Sequence, residues 1–598
     1  MDAISRVAAI IPKINTANPP DCLEEIAQAL SELPEGGFDI AVTPCLALCG
    51  PGCGSLGANP ALVRACTEAL EEAARLTAGQ DSFFLCGTIA DIWGQNIPAM
   101  AVLCRGELIA LIPAAGESAP PGMMPADTVF AAGTMRFCVV SCGLDDLARA
   151  FLDAAGTGCD LVIITAYDPV WAGRISEIKA LLQSLSAATG CAAVLVNGGI
   201  GDSSSPYAYR GFAAVYECGE ELAFALGENR SFSVTVDLDG DVIRADKRSK
   251  ALKEPVCTVH PLPGRSDLLR PVNRNPFLPQ KDIPAYLDEL FLLQARSLAS
   301  RMENTGITKL VLGVSGGLDS TAALLAGVKA LELLGLPREN LTGITMPGFG
   351  TSDQTYYNAL SLLENLKVTR RDISIKQAVR QHFEDIGHTG EKDTAYENAQ
   401  ARERTQILMD IANMTGALVV GTGDLSEEAL GFATFGGDHL ANYNVNSCIT
   451  KTVLRELVAH LADTGGFGEV SGVLRDILDT PVSPELIPPD EYGEITQKTE
   501  EILGPYALHD FFLYYFVKCS FAPSKLYSYA CAAFAGELEP QFIREKLDIF
   551  IRRFCAGQFK RACAPDAASI TEVNLLGVNF TVPSDLDPSF LLRGLRQD

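Results

Sequence analysis

This 598-residue chain carries no stripe of basic residues: its 47 Lys and Arg are set against 74 Asp and Glu, a formal charge of −27. That balance excludes a surface built for nucleic acid but leaves nucleotide-sized ligands open, because local loops hold those. No uncharged apolar run reaches the roughly 18 residues that cross a bilayer. The longest uncharged stretch, Ala41 to Val63, is broken by Pro and Gly and reads as strand plus loop. The N-terminus, MDAISRVAAIIPKINTANPPDC, has neither the basic start nor the small-residue cleavage site of a secretory signal, so the expected location is the cytoplasm, away from any membrane. Eighteen cysteines are too dilute over this length for a disulfide scaffold and are expected to be buried thiols acting as small hydrophobes. Cys45, Cys49 and Cys53 recur every four residues, but that spacing fits no zinc or iron–sulfur pattern. Internal repeats, low-complexity tracts and a GxxxxGK[ST] loop are also absent, and the last absence removes the usual γ-phosphate cleavage.

With 47% hydrophobic and 20% charged residues the chain is globular, and its length calls for two or three domains. From Ala8 to Val236 short apolar runs (FDIAVTP, FFLCGTI, AVLCRGELIALIP, FCVVSC, CDLVIITA, CAAVLVN) read as buried strands. Amphipathic stretches such as CLEEIAQALSEL and EIKALLQSLSAAT lie between some of them, the rhythm of a layered α/β domain. Basic residues and prolines then cluster without periodicity, and residues 256–283 are expected to be a solvated linker between domains at 1–255 and 284–598. A second rhythm follows. KLVLGV is a strand, STAALLAGVKALELL a helix, LTGITMP a strand, Tyr357–Leu366 a helix, and VTRRDIS and ALVVGTG are strands. Strand–helix–strand at this spacing means parallel pairing, with nucleotide chemistry at the strands' carboxyl ends.

The strongest local signal is GVSGGLDS, comprising Gly313, Val314, Ser315, Gly316, Gly317, Leu318, Asp319 and Ser320, directly after a strand and opening a helix. Its Ser and Gly residues let backbone N–H groups close around an anion, and the helix N-terminus adds its positive dipole end. Asp319 supplies a carboxylate where Mg²⁺ on a pyrophosphate would sit.

This SGGxDS loop resembles that of the ATP pyrophosphatases, which cut ATP between its α and β phosphates. Among them, the segments Tyr396–Asn413, Gly421–His439, Asn442–Thr452, Ile477–Leu486, Gly504–Phe516 and Arg552–Arg561 are similar to NAD synthetases, over roughly residues 284–585. The resemblance implies a Rossmann-like, adenine nucleotide alpha hydrolase-like parallel sheet. It places ATP on residues 313–320, Thr422, Lys451 and Ser483, and Mg²⁺ on Asp319 and Glu427. Deamido-NAD falls to Asn398, Arg402, Glu427, Phe432, Ala433, Thr434, Phe435, Asp438 and Lys560, and the chemistry to Asp319 and Lys451. The implied reaction adenylates the nicotinate carboxylate, releases pyrophosphate, and lets ammonia displace AMP. The family further suggests a homo-oligomer built on synthetase dimers, up to an octamer.

Residues 1–255 resemble in layout the nitrilase-like glutaminase domain, an αββα sandwich, fused to many bacterial NAD synthetases. That family hydrolyses glutamine with a Glu base, a Lys and a Cys nucleophile. Here AVTPCLALCG puts Cys45 in the Glu slot, LIALIPAAG puts Ala114 in the Lys slot, and FCVVSCGLDDL keeps Cys142 but follows it with Gly143. Only Lys13 and Lys179 occur in the first 240 residues. Without a base the Cys142 thiol should stay protonated. The expectation is therefore a pseudo-glutaminase beside a synthetase that uses ammonia. One alternative is working glutamine chemistry rearranged around Cys45, and another is a non-catalytic scaffold or filament subunit.

Overall fold

The computed structural model describes residues 3–114, 119–202, 209–227, 230–248, 251–260, 268–464, 466–480, 503–576, 580 and 582–596. The chain divides into two compact units, Met1–Pro271 and Val272–Asp598.

The strands of the first unit are β1 (Ile4–Ile11), β2 (Ile40–Val42), β3 (Phe83–Ile92), β4 (Gln95–Cys104), β5 (Glu107–Pro113), β6 (Val129–Ala132), β7 (Met135–Ser141), β8 (Leu161–Ala166), β9 (Ala192–Asn197), β10 (Phe212–Glu217), β11 (Glu220–Leu226), β12 (Phe232–Asp239) and β13 (Thr258–Val259). They form a six-stranded sheet, β12-β1-β2-β3-β4-β5, and a seven-stranded sheet, β11-β10-β9-β8-β7-β6-β13. Side-chain alternation sorts each strand between two cores. Val7, Ala9, Ile40, Val42, Phe83 and Leu85 of the first sheet pack with Phe137, Val139, Leu161, Ile163 and Val194 of the second. The intervening Ala8, Ile10, Ala41 and Phe84 instead meet Leu23, Ile26, Leu70 and Ala73 of helices α1 (Pro19–Ser31) and α2 (Pro60–Arg75). Val140, Val162, Ile164 and Leu195 meet Phe151 and Leu182 of α3 (Leu147–Gly156) and α4 (Arg174–Thr189). The layers are thus helix, sheet, sheet, helix, as expected, and burial on both faces is why these strands read as unbroken apolar runs.

AVLCRGELIALIP is two strands rather than one. β4 and β5 are antiparallel, and Arg105-Gly106, both at positive φ (52° and 84°), makes the two-residue turn between them. Trp93-Gly94 and Cys218-Gly219 turn the β3–β4 and β10–β11 hairpins in the same way. The basic segment expected to be solvated is partly built in. Thr258 and Val259 pair with β6 as an edge strand, and Arg270 is buried against Glu217 at 2.5 Å. A buried carboxylate recruits its cation whatever the local periodicity.

In the second unit β14 (Leu310–Gly313), β15 (Leu341–Thr345), β16 (Thr369–Asp372), β17 (Leu418–Gly421) and β18 (Tyr443–Asn444) make one all-parallel sheet in the order β16-β15-β14-β17-β18. Leu310 and Leu312 face the core shared with Leu290 and Leu298 of the Ile283–Thr305 helix and Val453 and Leu457 of the Lys451–Thr464 helix. Val311 faces the other side, with Val379, Tyr396 and Ile411. The chain steps outward from β14 through β15 to β16, then returns to place β17 on β14's opposite side. Loops after β14 and β17 therefore diverge, leaving a crevice at the switch point. No described helix is long and apolar enough to cross a membrane.

Candidate functional site

The loop after β14 is folded largely by its own residues. Gly316 sits at φ +85°, and a Cβ there would lie 2.0 Å from the Thr355 carbonyl oxygen, so only glycine fits. Ser315 Oγ accepts from the Gly317 N–H at 3.2 Å and lies 3.1 Å from Ser320 Oγ. Gly317 then caps the helix Leu318–Leu333, whose first turn carries Asp319.

Across the crevice, β17 leads into GTGDLSE. Asp424 caps the short helix Leu425–Leu430 by accepting from the Glu427 N–H at 2.9 Å, which aims its second oxygen inward. The next contributor is Lys451, which opens the Lys451–Thr464 helix and is 3% exposed. Its ammonium donates to both Asp319 oxygens (2.8 and 2.7 Å) and to Glu427 Oε1 (2.9 Å), and stands 2.6 Å from Asp424 Oδ2. Burial disfavours that charge, but the carboxylates of Asp319, Asp424 and Glu427 more than offset it and hold the Lys451 pKa above its ordinary value. Burial raises Asp424 well above the usual carboxylate range. It pushes Glu427 up to about 7, against the pull of Lys451.

A further layer fixes these groups. Ser426 Oγ accepts from the Lys451 N–H (2.8 Å) and donates to Asp510, whose other oxygen takes Thr452 Oγ1 (2.6 Å). Buried Asn446 donates to the carbonyls of Asp319 (3.0 Å) and Thr422 (2.8 Å), tying the two loops together, and accepts from Gln294 (2.7 Å). Asp424 and Asn446 were missed in the sequence. Asp424 had a signal, the D-x-x-E capping pattern; Asn446 had none.

The crevice opens into a cleft of about 300 Å³ lined by Gly313, Val314, Ser315, Gly317, Leu318, Asp319, Ser320, Thr422 and Glu427, with Arg404 and Arg455 on its walls. Gly316 is packed against the Thr355 backbone, and Thr355 itself lines the cleft. A smaller pocket, holding Ala433 and Lys560, shares Thr422, Glu427 and Asp438 with the cleft. The remaining candidates surround the Phe432–Phe435 segment. Thr434 donates to Asn398 (Oγ1, 3.0 Å) and Asp438 (N–H, 2.7 Å). Arg402 donates to the Phe435 carbonyl (3.2 and 3.1 Å), and Lys560 to those of Gly431 (2.7 Å) and Ala433 (2.5 Å). Phe432 lines the cleft itself. Ser483 lies outside the described residues.

In the first unit, Ala114 forms a parallel bridge with Ser141, the residue before Cys142. The Cys142 N–H donates to the Thr165 carbonyl at 3.2 Å. Burial pushes both the Cys142 and the Cys45 thiol up to about 12, and the neighbouring Cys45 and Asp168 add to the rise at Cys142. A raised thiol pKa means that thiolate appears only as pH climbs toward 12; at pH 8 the fraction is on the order of 10⁻⁴. Iodoacetamide at pH 8 is therefore expected to label the exposed Cys563 while leaving Cys45 and Cys142 unmodified in the folded chain. Peptide mass mapping that finds Cys142 alkylated as fast as Cys563 would contradict this placement.

A model of the NAD synthase family matches residues 293–524. The glutamine-dependent NAD(+) synthetase of Mycobacterium tuberculosis (strain H37Rv) is 34% identical over 481 residues, 73% of this chain and 70% of that one. Its counterpart in Mycobacterium leprae is 33% identical over 493 residues, 75% and 72% of the two chains. The NH(3)-dependent NAD(+) synthetase of Hyperthermus butylicus is 34% identical over 212 residues, 35% of this chain and 71% of that one. Similarity that runs this far along both partners, over a parallel sheet with its crevice at the switch point, shows that the chain belongs to the glutamine-dependent NAD(+) synthetase family.

Proposed function

We propose that this NAD(+) synthetase adenylates the nicotinate carboxylate of deamido-NAD with ATP and then transfers that carbon to free ammonia. One observation carries the reading: Asp319, Asp424, Glu427 and Lys451 converge where the phosphate loop's cleft and the Lys560 pocket share a wall. ATP would lie in the cleft with its phosphates against the 315–317 loop. The dinucleotide acid would approach from the Lys560 side, so that its carboxylate meets the α-phosphate beside Glu427. A carboxylate is a poor electrophile, and adenylation gives its carbon a leaving group. The protein's part is positioning and charge compensation.

Mg²⁺ fits the donor set. Oxygens of Asp319, Asp424 and Glu427 lie within 4.8 Å of one another, hard ligands of the kind this ion prefers. Bound there, the ion would neutralise charge on the departing pyrophosphate. Asn398, Arg402 and Asp438 would hold the Phe432–Phe435 segment in shape for the dinucleotide. The first unit, Met1–Pro271, is read as a nitrilase-like domain without glutaminase chemistry, and Cys142 as its remnant. Cytoplasmic location and assembly as synthetase dimers within a homo-oligomer, up to an octamer, belong to the same proposal.

Lys560→Ala tests how the two pockets are divided. It should raise the KM for deamido-NAD at least ten-fold while leaving that for ATP within about two-fold, because Lys560 lines only the smaller pocket. Pyrophosphate release, measured with and without deamido-NAD, should remain dependent on the acid. A collapse of ATP affinity with deamido-NAD affinity intact would reverse the assignment.

A further inference from the structure

The placement of Lys451 raises a question of occupancy that rests on the ATP and Mg²⁺ reading above. Its ammonium lies 2.6 to 2.9 Å from all three carboxylates, at the centre of the oxygens that would hold a metal. A Mg²⁺ ion needs oxygens at about 2.0–2.1 Å, so it would occupy much the same point. A dication and an ammonium cannot share it, for reasons of both space and charge.

Two features bear on whether the ammonium can give up this place. Its hydrogen bonds run to Asp319 and Glu427, and the wholly buried Asp424 Oδ2 is held beside it as an ion pair at 2.6 Å, so one ammonium serves three acids at once. In addition, the Lys451 backbone is pinned by Ser426 Oγ at 2.8 Å, so only the flexible four-carbon stem can move. Asp319 and Glu427, its hydrogen-bond partners, line the cleft beside the phosphate loop.

We propose that Lys451 is the resident counter-cation of the Asp319–Asp424–Glu427 triad, and that a divalent cation takes the triad only together with the nucleotide, whose phosphate oxygens draw the ammonium out. Asp424 is then a positioning residue for Lys451 in the free chain and an oxygen donor once the lysine has swung away. The arrangement imposes an order: metal and nucleotide arrive as one unit, and the free chain is protected from capturing the ion alone.

The test uses Mn²⁺ as a paramagnetic probe of the full-length chain, with bound ion counted by electron paramagnetic resonance. Without nucleotide, the wild-type chain should bind Mn²⁺ at least ten-fold more weakly than with a saturating α,β-methylene analogue of ATP. Lys451→Met, which keeps the stem and removes the charge, should recover at least ten-fold of nucleotide-free affinity. Asp424→Asn in that background should remove the gain. Equal Mn²⁺ affinity in the wild-type chain with and without analogue would overturn the proposal, and so would a folded Lys451→Met variant no tighter than wild type. If the methionine variant does not fold, Lys451→Gln, which also removes the charge, is read in its place by the same criterion. Equilibrium dialysis of the analogue with saturating Mg²⁺ separates the two readings. Failure to bind in the cleft sinks the ATP site itself, whereas normal binding with flat Mn²⁺ affinity sinks only the resident cation.

Discussion

Ammonium salts are expected to support NAD formation by this chain, and glutamine is not, at any concentration free of contaminating ammonia. A nitrilase-type glutaminase needs a base to make the thiolate and a cation to stabilise the tetrahedral oxyanion. The chain offers Cys45 and Ala114 at those positions, and burial holds the Cys45 and Cys142 thiols up near 12. Members of such a catalytic unit act together, so losing one costs several orders of magnitude and losing a second adds little more. The expected glutamine-driven rate is thus below about a thousandth of the ammonia-driven one. Cys142→Ala should leave the ammonia-driven rate unchanged, although its relatives are named glutamine-dependent. Glutamate appearing in step with NAD, or a glutamine-derived acyl adduct on Cys142, would show that another group supplies the base and would restore the rearranged mechanism.

Asp319→Ala is expected to abolish NAD formation without unfolding the chain. Asp319 takes two of the Lys451 hydrogen bonds and presents its carboxylate to the cleft, so its removal strips both a metal ligand and the lysine's main anchor. Losing one such transition-state charge partner costs on the order of 3 kcal/mol or more, about a hundred-fold in rate. The fold should tolerate the change. The side chain is 23% exposed, and Lys451 keeps two carboxylates, with less mutual repulsion among the acids. Near-normal turnover at saturating Mg²⁺ and ATP in a variant with unchanged circular dichroism and melting temperature would refute the assignment.

Some of this was open to sequence reasoning because the interactions are short-range. The phosphate loop is one case: its shape depends on Gly316 at positive φ and on hydroxyls of Ser315 and Ser320 that bond within five residues. The layered α/β character of the first half is another, since strands buried on both faces must be apolar throughout, whereas the αββα order is what the nitrilase-like resemblance implies. Where that reading slipped, the cause was also local. Apolar runs conceal the Arg105-Gly106 turn, and β12 carries only a period-two signal, Phe232, Val234, Val236 and Leu238, in place of a continuous apolar run.

The sequence by itself thus determined the two α/β halves and the loop that can enclose an anion, while the resemblance to the glutaminase layout gave the expectation that Cys45 and Ala114 stand at its Glu and Lys positions. Only the tertiary structure decided which charges meet. Asp319 and Lys451 lie 132 residues apart, and Asn446 reaches the Asp319 carbonyl across 127. No periodicity links such positions, because their approach is set by sheet order. β17 lies beside β14 rather than beyond β16, so the loops after both strands open into one crevice. Asp424 became visible as a partner of Lys451 only there, where burial removes water and makes each carboxylate depend on the single ammonium between them.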